Sequence, residues 1–364
     1  MAEWKEYELN QICSRLSSGK GLPAKKISDS GKYPVYGGNG LRGYTETANF
    51  EGDCAIIGRQ GAYCGNVRYF SGTAYMTEHA VVTCANENNN TRYLSYLLST
   101  MNLGRLSGQS AQPGLSVKTL GKQVVKVPPL TIQNKIVSIL AALDTKIEDN
   151  EKINKNLEQQ AQTIYQQMFI DNPYSDWIEG SLSDIADITM GQSPSGSSYN
   201  EDGIGTIFFQ GRAEFGFRFP TIRLYTTEPK RMACANDTLM SARAPVGDIN
   251  VAHTDCCIGR GLAAIHSKTN HQSFVLYTMY SLKKQLDVFN GEGTVFGSIN
   301  RNSLNDMPIL IPSDEAINEF ERIVAPMDAA IRNNYDEVCH LQAVRDSLLP
   351  RLMSGELDVS DIDL

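Results

Sequence analysis

The most regular stretch of this 364-residue chain is IVSILAALDTKIEDNEKINKNLEQQAQTIYQQM, residues 136–168. Steps of four and three residues from Ile136 meet an apolar side chain almost every time, and the exceptions are asparagines such as Asn150. An apolar 4-3 spacing held over more than four heptads is typical of a coiled-coil seam, in which a buried Asn fixes the register. The alternative is an amphipathic helix packed on its own domain.

The same pattern returns further along the chain, at an offset of 184 in the numbering. Asn150 then corresponds to Asn334, and the prolines that precede the two helices, Pro128 and Pro312, correspond as well. Near the start of each half, Trp4 and Trp177 open similar motifs at an offset of 173. A duplicated chain is therefore predicted. The predicted seam consists of Ile136, Leu140, Leu143, Ile147, Asn150, Leu157 and Ile164 in the first helix and Met327, Ile331, Asn334, Val338, Leu341 and Leu348 in the second.

The order of the segments predicts how the helices pair. The first helix leaves one globular segment and leads to the next, so two paired helices run antiparallel and are related by a pseudo-two-fold axis. We expect Pro326 to break or kink the second helix before Met327, and Pro350 to stop it near Leu349. The predicted fold is α+β: globular domains at 1–129 and 171–312, a central spacer helix at 130–170, and a C-terminal spacer helix with a tail at 313–364.

Composition limits the class of protein. No apolar run approaches the roughly 20 residues that span a bilayer, no signal peptide is recognisable, and the eight cysteines have no CxxC spacing. We therefore expect a cytoplasmic protein that makes no contact with a membrane. The net charge of −8 argues alone against a nucleic-acid binder, but residues 1–129 carry 14 basic and 9 acidic side chains while 313–364 carry 4 and 12.

The globular segments combine short β-type runs with long polar loops in which basic side chains alternate with aromatic and amide ones. Arg and Lys pair with phosphates or guanine edges, and Gln pairs with adenine, so this mixture favours reading of the DNA major groove. For any one residue, a solvated surface is an equally good interpretation. The candidate DNA contacts are Lys20, Lys25, Lys26, Arg42, Arg59, Gln60, Tyr63, Arg68, Gln192, Tyr199, Arg212, Arg218, Arg243 and Arg260.

Catalytic chemistry is not indicated. Glu78-His79 and the His253 region lack metal-ligand spacing such as HExxH, and no phosphate-binding loop of the right spacing occurs. We therefore predict no catalytic residue, no metal site and no cofactor in this chain. Two rival hypotheses stay open, a coiled-coil scaffold that binds protein and a self-sufficient enzyme with a duplicated domain.

Several motifs, in this order, are similar to the specificity subunit of type I restriction-modification systems. They are GQSAQPGLS at 108–116, VPPL at 127–130 followed by Gln133 and Ile136, IYQQMF at 164–169 and LLPRLMSGEL at 348–357. The second junction departs from the pattern, because Ile311-Pro312-Ser313 has one proline and lacks the Gln.

The resemblance implies a non-catalytic DNA-recognition subunit. Its two target-recognition domains would each read one half of a bipartite site in double-stranded DNA, with the gap set by the coiled coil. Two methyltransferase subunits and restriction subunits would dock on it, and these partners would supply S-adenosylmethionine and ATP with magnesium.

Overall fold

The computed structural model describes residues 3–107, 114–291 and 297–363. Most of the GQSAQPGLS motif, residues 108–113, lies outside them. The helices are α1 (Leu9–Ile12), α2 (Thr91–Ser99), α3 (Val117–Gly121), α4 (Leu130–Tyr165), α5 (Leu182–Ile185), α6 (Gln272–Ser281), α7 (Lys283–Leu286), α8 (Arg301–Asn305) and α9 (Asp314–Ser354). A π-helical turn, Gln166–Asp171, follows α4.

The strands are short. In the first half they are β1 (Lys5–Glu8), β2 (Cys13–Ser18), β3 (Tyr33–Gly37), β4 (Gly40–Thr45), β5 (Phe50–Gly58), β6 (Val67–Met76), β7 (Ala80–Ala85) and β8 (Val124–Val127). In the second half they are β9 (Ile178–Ser181), β10 (Ala186–Met190), β11 (Tyr199–Asn200), β12 (Thr206–Phe209), β13 (Leu224–Thr226), β14 (Met232–Ala233), β15 (Thr238–Ser241), β16 (Ile249–Val251), β17 (Cys256–Ile258), β18 (Leu262–Ser267) and β19 (Pro308–Ile311).

The chain divides into two compact units. Unit 1 comprises Met1–Glu148 and Val338–Leu364, and unit 2 comprises Asp149–Glu337. The long helices α4 and α9 therefore each contribute one part to unit 1 and the other part to unit 2. The globular segments of both units mix short helices with sheets, which confirms the predicted α+β class.

Unit 1 is built on a six-stranded sheet with strand order β2-β7-β5-β6-β3-β4. Its pairs are antiparallel except β3–β6, which is parallel. The middle of β5, Cys54–Ile57, is buried on both faces, because Ala55 and Ile57 pack under α2 while Cys54 and Ile56 join a second cluster with Met76. This two-sided burial explains the continuous apolar run in the sequence.

Unit 2 distributes its strands over two main sheets, a four-stranded one with order β10-β18-β15-β16 and a five-stranded one with order β11-β13-β12-β17-β14. Strand β18 is buried along most of its length and contributes to two apolar clusters, one around α6 and α9 and one with β17. Each unit also has a two-stranded antiparallel ribbon, β1–β8 in unit 1 and β9–β19 in unit 2.

The ribbons and short helices repeat in the predicted register. Helices α1 and α5 begin at Leu9 and Leu182, which correspond at the offset of 173, whereas α4 and α9 begin at Leu130 and Asp314, which correspond at the offset of 184. The internal repeat read from the sequence is therefore confirmed in the structure.

Helices α4 and α9 pack against each other inside each unit. In unit 2, the Asn334 side chain donates to Asn154 at 2.9 Å, and four residues earlier on α4 Asn150 donates to Glu337 at 2.7 Å. In unit 1, Asp144 of α4 contacts Arg345 of α9 at 3.3 Å. Positions 144, 150 and 154, which rise along α4, thus meet positions 345, 337 and 334, which fall along α9, so the two helices are antiparallel as predicted. Every residue of the predicted seam is buried or half-buried.

The predicted break at Pro326 and the predicted stop near Leu349 were wrong. Helix α9 is continuous from Asp314 to Ser354 and contains both Pro326 and Pro350. Each ring is exposed, and the neighbouring residues Val324 and Leu352 are buried. Burial of these neighbours offsets the backbone hydrogen bond that each proline removes.

The helix ends instead at Gly355. This residue has φ +78, and a Cβ there would lie 2.9 Å from the Trp4 ring, so only glycine is accommodated without a shift. Among the residues that the structure describes, no helix is long and apolar enough to cross a membrane.

Candidate nucleic-acid interface

In unit 1 the predicted contacts collect around the glycine-rich turn between β3 and β4. The turn packs on the loop that follows β5: a Cβ on Gly38 would lie 3.5 Å from the Gly58 Cα and 3.6 Å from the Arg59 backbone nitrogen. The Arg59 amide donates to His79 O at 2.9 Å, and its carbonyl accepts from Leu115 at 2.8 Å. The backbone from which Arg59 projects is therefore fixed on both sides.

Two further arginines lie against this turn. The aliphatic part of Arg42 covers Gly37, and the Arg68 guanidinium lies over Gly40, where a Cβ would come within 3.3 Å of Arg68 Cζ. Gly40 also has φ +94, which favours glycine, so the turn leaves space for the guanidinium. Burial raises the pKa of the Tyr36 hydroxyl beside them, although the positive charge of Arg68 opposes that shift.

The remaining candidates of unit 1 lie on exposed loops. Lys25 and Lys26 are exposed in the 3-10 turn Ala24–Lys26, and Lys20 is exposed after β2, with its amide bonded to Met76 O at 2.9 Å. Gln60 and Tyr63 are exposed in the loop after β5. The structure therefore leaves these basic, amide and aromatic side chains exposed in the loops that follow β2 and β5.

In unit 2 three candidates lie at exposed loop positions next to strand ends. Gln192 follows β10, Arg243 follows β15 and Arg260 follows β17, and all three are exposed. Arg243 and Arg260 line the same cleft of about 570 Å³, together with Ser298 and apolar or backbone atoms. Neither guanidinium has an acidic partner within 4 Å in the described part of the chain, so each can bind an anion or a base edge.

Two other candidates of unit 2 are engaged with the protein itself. The Arg212 Nε lies 3.1 Å from an Asp248 carboxylate oxygen. The Nζ of Lys283 also pairs with this carboxylate, at 3.3 Å. The Tyr199 ring packs on Phe208 with centroids 4.8 Å apart, and its hydroxyl donates to Pro194 O at 3.1 Å. The structure thus gives Tyr199 a packing role.

Arg218 corrects the sequence analysis. Its side chain is only 3% exposed and pairs with Glu158 of α4 at 3.1 Å and with Asp328 of α9. Burial opposes the charge of the guanidinium, but the neighbouring Asp328, Tyr277 and Glu158 outweigh it and raise the pKa of Arg218. A DNA phosphate cannot reach this side chain, so Arg218 fixes the globular part of unit 2 on both helices.

Glu78 was missed as a candidate. On sequence grounds, Glu78-His79 is considered only as a possible metal-binding pair and is rejected. The structure places Glu78 in the turn between β6 and β7, beside the loop that carries Arg59. Its side chain is 44% exposed and lies 3.4 Å from the His79 imidazole. An acidic residue inside a basic loop surface carried no sequence signal, because its neighbours come from the loops that follow β5 and β2.

Gln133, which follows the VPPL motif, has a structural explanation. Its buried side chain accepts from the Asn90 amide at 2.9 Å and donates to Pro128 O at 2.9 Å, which joins the start of α2 to the start of α4. Unit 2 lacks this Gln, and Glu321 accepts the amides of Ser273 and Phe274 at the start of α6 instead, at 3.2 and 3.1 Å. Burial raises the pKa of Glu321.

Comparisons with known proteins agree on one family. Residues 1–159 match the model of the type I restriction modification DNA specificity domain. The provisionally named MjaX specificity subunit of a type I restriction enzyme, from Methanocaldococcus jannaschii, is 27% identical over 98% of this chain and 94% of its own length. The EcoprrI specificity subunit from Escherichia coli is 39% identical over 39% of this chain and 36% of its own length.

A solved structure supports the fold. The type I restriction-modification S subunit of M. genitalium superposes with a TM-score of 0.70 at 16% identity, and the match covers 96% of both chains. With the repeat and the antiparallel helices in place, residues 1–159 match the type I restriction modification DNA specificity domain, and 98% of the chain is similar to a type I restriction enzyme specificity subunit.

Proposed function

We propose that this chain is the DNA-reading subunit of a type I restriction-modification complex, and that each unit reads one half of a bipartite site. The observation that carries the proposal is the repetition itself: two globular segments with exposed basic side chains are joined to one pair of antiparallel helices. A protein with two separate readers recognises two half-sites whose spacing follows from its own geometry. The paired helices α4 and α9 would set the unread gap.

The chain would not carry out catalysis. We infer that two methyltransferase subunits dock on it and that restriction subunits join the same assembly. These partners would bring S-adenosylmethionine for methyl transfer and ATP with magnesium for restriction. The acidic C-terminal segment, with 12 acidic and 4 basic side chains in 313–364, suits contact with protein partners better than contact with phosphates.

The decisive experiment is methylation sequencing of host DNA after co-expression of this chain with the adenine-methyltransferase subunit from its own operon. The expected result is a split motif with a constant gap that disappears when this chain is omitted. A stable complex without any motif would support the scaffold hypothesis instead. Cofactor-dependent turnover by the purified chain alone would support an enzyme.

The net charge gives a second test. A chain with charge −8 makes few favourable phosphate contacts of its own, so binding of the isolated chain to its site should be weaker than binding of the complex. Fluorescence anisotropy with the purified chain and with the complex would measure this difference. Tight site-specific binding by the isolated chain at physiological salt would contradict the proposal that partners supply phosphate contacts.

A further inference from the structure

The loop surfaces of the two units share one backbone framework. In unit 1 the amide of Lys20 donates to Met76 O at 2.9 Å, and in unit 2 the amide of Gln192 donates to Ile258 O at 3.0 Å. The glycines that precede Lys20 and Gln192 correspond in the same way. The amide of Gly19 donates to Ala80 O at 3.0 Å, and the amide of Gly191 donates to Leu262 O at 2.9 Å. Lys20 and Gln192 therefore occupy equivalent places.

The same framework pairs Gln60 with Arg243. Gln60 forms an isolated antiparallel bridge with Gly114, and Arg243 forms one with Ser298, which corresponds to Gly114 at the offset that relates the two long helices. The preceding residues repeat a second bond: Leu115 N donates to Arg59 O at 2.8 Å, and Ile299 N donates to Ala242 O at 3.1 Å. The repeat thus extends from the helices into the loops, to the level of single residues.

A third pair follows from the next turn. Ala80 N donates to Thr77 O at 3.0 Å and Leu262 N donates to Gly259 O at 2.9 Å, which closes the same turn in both units. Glu78 is the second residue of the turn at 77–80, and Arg260 is the second residue of the turn at 259–262. Equivalent backbone positions thus carry side chains of opposite hydrogen-bonding character, because a carboxylate only accepts and a guanidinium only donates.

Solvent, and therefore a ligand, can reach all four of these side chains at least in part. In unit 2, Arg243 and Arg260 line one cleft. In unit 1, Gln60 is exposed and the Glu78 side chain is 44% exposed, while its Oε2 atom is buried and has no hydrogen-bond partner in the part of the chain that the structure describes. A partly exposed carboxylate with one oxygen that lacks a donor can turn toward a ligand that supplies donors.

Resting on the proposed function, we propose that positions 60 and 78 in unit 1 and positions 243 and 260 in unit 2 are the equivalent base-reading positions of the two half-sites. In unit 2 the two guanidiniums read guanine O6 and N7 edges. In unit 1 the Gln60 amide reads an adenine edge and the Glu78 carboxylate accepts from a cytosine amino group. The same framework therefore reads two different half-sites through an exchange of side chains.

The test measures base discrimination directly. The complex with the methyltransferase subunit is prepared with the wild-type chain, Arg243→Gln or Gln60→Arg, and its affinity is measured for the wild-type site and for duplexes with single base changes. Arg243→Gln should lower discrimination at one guanine of one half-site by roughly 5- to 150-fold. Gln60→Arg should change the preference at one adenine of the other half-site.

Arg223→Gln is the matched control. Arg223 is also an exposed arginine of unit 2, but Glu214 at 2.9 Å and Glu201 at 3.5 Å hold its guanidinium, so its substitution should leave every base preference unchanged. The inference is overturned if Arg243→Gln and Gln60→Arg keep the wild-type discrimination at all positions. Absence of a split motif with the wild-type chain would instead contradict the proposed function, so the two failures are distinguishable.

Discussion

The hydroxyl of Tyr277 on α6 donates a 2.9 Å hydrogen bond to Asp328 on α9. In unit 1 the hydroxyl of Tyr96 on α2 donates to Asp144 on α4. The two aspartates correspond at the offset that relates the long helices, and the two tyrosines lie within one helical turn of that offset, so the repeat preserves this contact between globular segment and long helix. Each unit is thereby attached to its helices by the same partly buried hydrogen bond.

The arginines that neutralise these aspartates differ between the units. Arg92 and Arg345 lie 3.5 and 3.3 Å from Asp144, whereas Arg218 pairs with Asp328 and also with Glu158. The repeat therefore retains the Tyr–Asp bond and varies its counterion. Burial and the carboxylate together raise the pKa of both tyrosine hydroxyls, so each stays a donor across the physiological range.

Tyr96→Phe should destabilise the attachment of α2. The substitution removes a donor to a half-buried carboxylate, at a cost of about 1–3 kcal/mol, and amide hydrogen exchange over Thr91–Ser99 should become faster by the corresponding factor. Tyr277→Phe should have the same effect on Gln272–Ser281. Tyr93→Phe is the control, because Tyr93 is buried on the same helix and its hydroxyl has no partner within the described ranges. Equal effects of Tyr93→Phe and Tyr96→Phe would contradict the role of the hydrogen bond.

Arg218→Met should unfold unit 2 more easily. The variant leaves the carboxylates of Glu158 and Asp328 without their counterion in a buried place, which typically costs about 3–5 kcal/mol. Urea unfolding followed by hydrogen exchange in unit 2 would measure the loss. Replacing both carboxylates as well, with Glu158→Gln and Asp328→Asn, should recover much of it, since uncompensated charge is then absent.

The control for that variant is Arg322→Met on α9. Arg322 is 71% exposed and pairs only with Glu319 among the described residues, so its loss should leave unfolding unchanged. If Arg218→Met behaved like Arg322→Met, the buried network would have no part in holding the globular segment on the helices.

The helices and the repeat were predictable because their signal is periodic and local. Apolar residues at 4-3 spacing can be counted along the chain, and the buried Asn150 and Asn154 now bond across the seam. The effect of Pro326 was not predictable in the same way, since tertiary burial of its neighbours offsets a local preference.

The candidate site was less predictable for a related reason. The sequence does not distinguish an exposed arginine from a buried one. The different roles of Arg218 and Arg243 therefore became clear only from the structure. Glu78 and Gln60 are well separated along the chain, and their loops meet where the Arg59 amide donates to His79 O and where β5 pairs with β6 and β7. Contacts made by long-range strand pairing leave no periodic trace in the sequence.

Cysteine alkylation should separate the thiols by environment. Burial raises the pKa of Cys54 and of Cys256 to about 12, so at pH 8 both stay protonated and shielded in the folded chain. The exposed Cys339 and Cys234 should react first. Mass spectrometry after a timed iodoacetamide pulse would identify the labelled sites, and rapid labelling of Cys54 would contradict the buried β5 strand.

The two exposed thiols should also differ from each other. The negative charge of Asp237 raises the pKa of Cys234, with smaller contributions from burial and Asp255. A smaller fraction of the Cys234 thiol is ionised at pH 8 than of an unperturbed thiol, so Asp237→Asn should accelerate its alkylation. The rate at Cys339 is the internal control and should not change; an equal acceleration at both sites would indicate general loosening.

Lengthening both helices should change the gap alone. Insertion of one heptad after Glu148 and another after Glu337, where unit 1 and unit 2 divide, keeps the seam in register. A helical heptad adds about 10 Å, the length of about three base pairs. Methylation sequencing should then report both half-sites unchanged with a wider gap between them.

Insertion into α4 alone is the matched control. It displaces the bonds of Asn150 with Glu337 and of Asn154 with Asn334 by about two helical turns, so the two buried asparagines lose these partners and methylation should disappear with helix pairing. A double insertion that methylates the original gap would show that something other than the helical pair sets the spacing. A double insertion that changes a half-site sequence would show that the helices also hold the reading loops in place.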